Sequence, residues 1–234
     1  MKEYNIYPYK NDLEIDNNYL YKTIHFDNTK EIKNTLIKQL SFFLKKENIN
    51  SSSHIFIVGI GNDNYTADSI GPKTLKYIKV NSYLENFNIK TKEPIISSLE
   101  PGTLKETGIL TEKIIRSVVK EIKPDIIILI DSFITDNINY LNKTIQINNK
   151  GLYPGCGIKG INSKLDREEL GVPTIVIGVP TAVEIKFTKD KNNYTPYLLS
   201  TKDVDTYITN ISKTIGEAIN TSIANLKKYQ DNND

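Results

Sequence analysis

Three short runs of apolar, mostly β-branched residues constrain this chain more than anything else in it. They are His54-Ile-Phe-Ile-Val-Gly59, Asp125-Ile-Ile-Ile-Leu-Ile130 and Pro173-Thr-Ile-Val-Ile-Gly-Val179, each bounded by turn-forming residues. A strand with apolar residues at successive positions has no face to give to water, so it belongs in a sheet covered on both sides. The covers are legible too. Ile32, Leu36, Leu40, Phe43 and Leu44 recur at helical spacing within Thr29 to Asn48. Ile114, Ile115, Val118, Val119 and Ile122 do so within Thr111 to Ile122, and Val204, Tyr207, Ile208, Ile211, Ile215, Ala218, Ile219 and Ile223 within Lys202 to Lys228. A helix is also expected from about Ser69 to Lys79, with further strands at Leu20–Phe26, Pro94–Ser98 and Thr144–Ile147. Strands alternating with helices predict an α/β fold with a mostly parallel sheet and helices on both faces.

With 234 residues, no internal repeat and no evident linker, a single domain is the economical reading. Residues 1–28 read as a short irregular N-terminal segment, 190–197 as the most loop-like stretch and 229–234 as a frayed tail. Thirty Lys and Arg against 28 Asp and Glu leave a net charge of +2, too balanced for a general polyanion binder. Only Arg116 and Arg167 offer a guanidinium fork, so no direct nucleic-acid partner is expected. No apolar run approaches the roughly 18 residues of a membrane span, and Met1 to Asn18 lacks the apolar centre of a signal peptide. A soluble, cytoplasmic chain is the expectation. The lone Cys156 allows no intrachain disulfide, and His25 and His54 are the only histidines, which argues against an imidazole metal centre or a His-based triad. Neither metal nor cofactor is expected.

In open parallel sheets, ligands sit beyond the carboxyl ends of the strands. There the first run leads into Gly59-Ile-Gly-Asn-Asp-Asn-Tyr-Thr-Ala-Asp68-Ser-Ile-Gly-Pro72, the second ends in Asp131-Ser132-Phe133 and the third in Pro180-Thr181-Ala182. The topology therefore brings Asp68 and Asp131 to one rim. Two neighbouring carboxyl groups do not both ionise easily, so one holds a proton while the other activates water. Such a pair suffices for amide hydrolysis without His, Cys or metal. Asp68 also fits the N-cap of the helix containing Pro72, and spacing alone does not separate capping from catalysis. Asp131, following five apolar residues, is expected to be partly buried and to need a partner, although an acid there also suits a turn.

Other polar groups at this rim have weaker claims. Gly61 and Asn62 in the first loop, and Gly155, Cys156 and Gly157 in Gly151-Leu-Tyr-Pro-Gly-Cys-Gly-Ile-Lys-Gly160, offer N–H groups to a substrate or an oxyanion. A turn-rich connection is the plainer reading of that second loop. Thr181 is a candidate for the same role or for a helix cap. The first loop lacks the third glycine of a dinucleotide motif, no P-loop pattern occurs, and Cys156 has no nearby His to activate it.

Taken together, these segments resemble the germination protease family of endospore-forming bacteria. The matching pieces are G-I-G-N-D-N-Y-T-A-D-S-I-G-P (59–72), P-G-T-L-K-E-T-G-I (101–109), K-P-D-I-I-I-L-I-D-S (123–132), T-I-Q-I (144–147), G-L-Y-P-G-C-G (151–157) and L-G-V-P-T-I-V-I-G-V-P-T-A-V (170–183). They stand in the family's order over about residues 40 to 184, and the helix after Ser200 is also similar. The resemblance implies an atypical aspartic-type endopeptidase that degrades small acid-soluble spore proteins when a spore germinates, with Asp68 and Asp131 as the catalytic acids. It implies a three-layer α/β/α sandwich, phosphorylase/hydrolase-like, shared with hydrogenase maturation endopeptidases. It also places the protein in the cytoplasm of the forespore or spore core, and leaves room for a homo-oligomer.

The chain departs from the family in three places. Less sequence precedes the Thr29 helix than the family's propeptide region would need, so zymogen control of the usual kind is not expected. The segment between the third strand and the last helix is reduced to Glu184–Leu199. Tyr153 and Cys156 stand where relatives commonly carry His and Ser. Two alternatives follow: a non-catalytic sporulation protein of the same fold, or a metal-dependent peptidase like those that mature hydrogenases. The latter adds a histidine ligand, and neither His25 nor His54 lies where it should come.

Overall fold

The three apolar runs lie side by side at the centre of an eight-stranded sheet. The computed structural model describes residues 14–16, 19–26, 29–89, 91–154, 164–190 and 193–230. Its strands are β1 (Glu14–Asp16), β2 (Tyr19–His25), β3 (His54–Gly59), β4 (Ile95–Leu99), β5 (Ile126–Thr135), β6 (Thr144–Asn148), β7 (Thr174–Asp190) and β8 (Asn193–Leu199). Its helices are α1 (Thr29–Lys46), α2 (Ile70–Leu75), α3 (Leu104–Thr107), α4 (Thr111–Ile122), α5 (Arg167–Leu170) and α6 (Val204–Gln230). The sheet order is β1-β2-β6-β7-β5-β3-β4, with β8 also paired to β7. The β4-β3-β5-β7 block is parallel, as expected of buried apolar strands. The β1, β2, β6 and β8 pairings are antiparallel, so the parallel part is the centre of a mixed sheet.

Strand periodicity divides the core into two layers. Ile55 and Ile57 of β3, Ile126, Ile128 and Ile130 of β5, and Ile175 and Ile177 of β7 share one core with α1 and α6. The intervening Phe56, Val58, Ile127, Leu129 and Val176 share the other with Ile115 and Val119 of α4 and Leu170 of α5. That is a three-layer α/β/α arrangement. On the first face, Ile208, Ile211, Ile215, Ile219 and Ile223 form the buried stripe of α6, against Ile32, Leu36, Leu40, Phe43 and Leu44 of α1. The Lys33–Glu217 ion pair between these helices is at the surface, where such a pair adds about 0–1 kcal/mol. Burial of the two stripes is what holds them. Among the described residues no helix is long and apolar enough to cross a membrane.

Three expectations change. The helix expected to Lys79 stops at Leu75. Strands β5 and β7 do not end at Ile130 and Val179 but continue together to Thr135 and Val183, through an irregularity between Phe133 and Ile134. The stretch read as loop-like is instead the β7–β8 hairpin, whose register pairs Val183 with Leu199 and Lys186 with Pro196. Polar composition hid that hairpin, because main-chain pairing of β8 with β7 leaves no apolar signature.

Ile128 is fully buried in the first core. Ile128→Ala is expected to lower the unfolding free energy by about 2–5 kcal/mol in urea denaturation. Lys120→Ala, on the exposed side of α4, should stay within about 0.5 kcal/mol of the parent. A comparable loss at both positions would contradict the layer assignment.

Candidate active site

The site begins where β3 leaves the sheet. Pairing of β3 with β5 runs to Gly59–Ile130, and the Ile60 N–H still donates to the Ile130 carbonyl at 2.8 Å. At Gly61 the chain turns away with φ +123°, and a Cβ there would lie 2.0 Å from the Asp68 carbonyl oxygen. Gly61 is therefore fixed by backbone shape and close approach. The following Asn62 N–H donates to that same Asp68 carbonyl at 2.9 Å, while the Asn62 side chain accepts from the Asn64 N–H at 2.8 Å. The buried Asn62 thus shapes the loop from within. Behind it, Gly59 and Gly71 pack so closely that a Cβ on Gly71 would lie 2.2 Å from the Ile60 carbonyl oxygen. Gly61, offered above as an N–H donor for a ligand, thus also helps, with Gly59 and Gly71, to press the loop against the start of α2.

This packing sets Asp68, the last residue of a 3-10 turn (Thr66–Asp68), over the ends of β5 and β7. Asp68 does not cap α2: Ser69 holds the N-cap position, with no side-chain capping bond. The Asp68 carboxylate accepts instead from the Ser132 hydroxyl at 3.1 Å. Thr181 is no helix cap either. It lies inside β7, buried, and donates to the Ala67 carbonyl at 2.5 Å, tying the turn to the sheet. Asp131 is a mid-strand residue paired with Gly178, rather than a strand end. By alternation it shares the α4 face with Ile127 and Leu129, and Ser132 points to the opposite face, where Asp68 waits.

The two acids are electrostatically coupled and unequal. Burial raises the Asp131 pKa well above the usual carboxylate range, and the Asp68 charge raises it further, only partly offset by the Ser132 N–H. Burial also raises Asp68, but the Ser132 hydroxyl and the Asn62 N–H oppose the shift, while the charge of Glu106 adds to it. Glu106 belongs to α3, where its carboxylate accepts from the N–H and hydroxyl of Thr103, both at 2.9 Å. The Lys105 ammonium, 5.9 Å from the Tyr65 ring centroid, brings α3 beside the Asp68 loop. Ser132 and Glu106 both lie in motifs visible in the sequence. Nothing in their spacing distinguished them from neighbours, and only the folded geometry brings them to the acids.

Gly155, Cys156 and Gly157 lie outside the described residues. Leu152 and Leu165 exchange hydrogen bonds of 3.1 and 2.8 Å, which closes the base of that loop. His54 opens β3, at the opposite end of that strand from the acids, with its Nε2 2.8 Å from the Ser97 hydroxyl. Among the described residues no three His, Cys, Asp or Glu side chains group as a metal site.

The raised Asp131 pKa has a consequence for stability. Its proton is held more tightly in the folded than in the unfolded chain, so the group favours folding below the ordinary carboxylate range. That contribution is lost as pH climbs through the raised value. Asp131→Asn is therefore expected to raise the Tm at about pH 8, with the gain fading toward about pH 4. A Tm loss of equal size at both pH values would contradict a strained carboxylate.

Comparison with known proteins converges on one family. The family model described as germination protease matches residues 21–200. A germination protease of Oceanobacillus iheyensis is 33% identical over 186 residues, covering 74% of this chain and 51% of that protein. One from Clostridium acetobutylicum is 37% identical over 161 residues, 68% of this chain and 49% of that protein. One from Clostridium tetani is 34% identical over 245 residues, 86% of this chain and 75% of that protein. The chain thus spans about half the length of several curated relatives it matches. With a match across most of its length, including the strands and turns that carry Asp68 and Asp131, the chain belongs to the germination protease family.

Proposed function

We propose that this protein is an endopeptidase of spore germination that cleaves small acid-soluble spore proteins in the spore core, through the Asp68–Asp131 pair. The observation that carries the reading is the inequality of the two acids. Burial and the Asp68 charge push Asp131 up the more strongly, which favours its protonated form, whereas the Ser132 hydroxyl donating at 3.1 Å favours the ionised form of Asp68. A carboxylate beside a carboxylic acid supplies the base and acid of amide hydrolysis. Asp68 takes a proton from water as the oxygen attacks the scissile carbonyl carbon. Asp131 donates its proton to the carbonyl oxygen. As the tetrahedral species collapses, the proton gained by Asp68 passes to the leaving amine, the C–N bond breaks, and one hydroxyl proton returns to Asp131, which restores both acids. Family membership supports peptide hydrolysis as the reaction class, and the fixed loop supports a preformed site.

The test is cleavage of a purified small acid-soluble spore protein. Asp68→Asn and Asp131→Asn are each expected to lower kcat by about 10²–10⁴-fold while circular dichroism stays unchanged. The pH–rate profile should be a bell whose two limbs belong to the coupled pair rather than to either acid alone. EDTA should leave the rate unaltered. Wild-type rates in both variants would overturn the reading, as would loss of activity in EDTA restored by a transition metal.

A further inference from the structure

Departure of β3 leaves β5 with one open edge beside the acids. Beyond Ile130, β5 pairs only with β7. The Ile130 carbonyl accepts from Ile60 on the β3 side, whereas the Ile127 N–H donates to Pro173 on the β7 side. Backbone groups alternate sides along a strand, so those of Ser132 point to the side that β3 has vacated; the extra residue of the irregularity after Phe133 is Thr181 on β7, so the alternation of β5 carries on to Ile134. The Ser132 N–H lies against the Asp131 carboxylate. In the ladder, Ser132 and Ile134 have partners on β7 alone, Val179 and Ala182, and no strand pairs with them on the other side among the described residues. The Ile134 side chain is exposed, as is Tyr65 on the loop before Asp68.

We infer that this edge, Ser132–Ile134, is the substrate cradle: an extended segment of the substrate chain adds to β5 as a further strand, in the place β3 gives up. The Ser132 carbonyl and the Ile134 N–H flank one residue of the added strand, accepting from its N–H and donating to its carbonyl. Alternation sets Asp68 and Asp131 on the two faces of that edge, so a peptide bond lying along it runs between them. An acceptor and a donor at strand spacing match polypeptide backbone and little else. The cradle therefore selects for unfolded or locally extended chain rather than for one side chain. Ile134 and Tyr65 give its apolar residues somewhere to rest. The inference rests on the peptidase reading for the identity of the ligand, but it concerns how the chain is held.

Hydrogen exchange separates the two. With a small acid-soluble spore protein bound at saturation to the full-length Asp68→Asn protein, exchange of the Ile134 amide should slow by at least about tenfold. Ile134→Pro removes that donor at an edge position where proline is tolerated, and should weaken binding by about tenfold or more, whereas Ile134→Val should bind within about twofold. Should the proline variant fail to fold, the exchange measurement decides. Saturated binding with no protection at Ile134 overturns the cradle even if cleavage is confirmed. Protection without any cleavage by the wild-type protein upholds the cradle and removes the peptidase reading. Protection that appears without substrate and tracks a doubling of mass would assign the edge to a second copy of this chain, and overturns the proposal.

Discussion

The contact on which the site depends is the approach of Gly61 to the Asp68 carbonyl, with Gly59 against Gly71 behind it. No side chain fits in either gap, so the loop closes onto the 3-10 turn at the distance of backbone against backbone. Two consequences follow from that closure. Strand β3 stops pairing with β5 one residue short of Asp131, and Asp68 is held where the Ser132 hydroxyl reaches it. A bulkier loop would lift the 3-10 turn, breaking the Thr181 and Ser132 bonds together. The two acids would then separate, and the proton affinity of Asp131 would fall toward that of an ordinary buried carboxyl.

Stability and chemistry pull against each other here. The sheet centre is a dry, fully apolar block, with Ile126 through Ile130 all buried. Placing Asp131 directly after it costs solvation energy, since burial and the neighbouring Asp68 both act against its ionised form. An arrangement selected for stability alone would put an apolar residue or a basic partner there. Ion pairs such as Lys76–Asp63 and Arg116–Glu169 lie at the surface and do not offset it. The offset comes from the two cores, whose stripes on α1, α4 and α6 fix β5 between its neighbours. A strained acid in a rigid frame is a common signature of groups kept for reactivity.

The frame was legible because burial writes itself into sequence. The runs of β3, β5 and β7 and the stripes of α1, α4 and α6 follow from periods of two and 3.6, and each lies where those periods place it. That Asp68 and Asp131 would come near each other was legible for the same reason, one following a buried strand and the other lying in the loop of its neighbour. What escaped was everything set by backbone approach. Capping of α2 by Asp68 could not be judged from spacing, because an acid before a helix suits it, and only the 3-10 turn, which moves the N-cap to Ser69, rules it out. Thr181 looked like loop because the apolar run ends at Val179. The strand persists since Phe133 covers Gly178 and β8 supplies the next partner. Hydrogen bonding with no apolar signal leaves little trace in composition.

That persistence of β5 and β7 past the apolar block bears on why the acids sit where they do. Had all three parallel strands ended together, Asp131 would lie on a flat rim with its backbone exposed to water on both sides. Instead β7 continues to pair with β5 through Val183 while β3 departs, so the sheet loses one strand width at the residue that carries the acid. A step of that kind holds Asp131 rigidly from one side and leaves the other open. Rigidity keeps the pair in register with Ser132; openness admits a second backbone. The β8 strand then backs β7 from the far side, pairing Leu199 with Val183, and stiffens the ledge at the point where its own parallel neighbour is missing. The β8 strand that ends at Leu199 thus braces the strand on which that ledge depends.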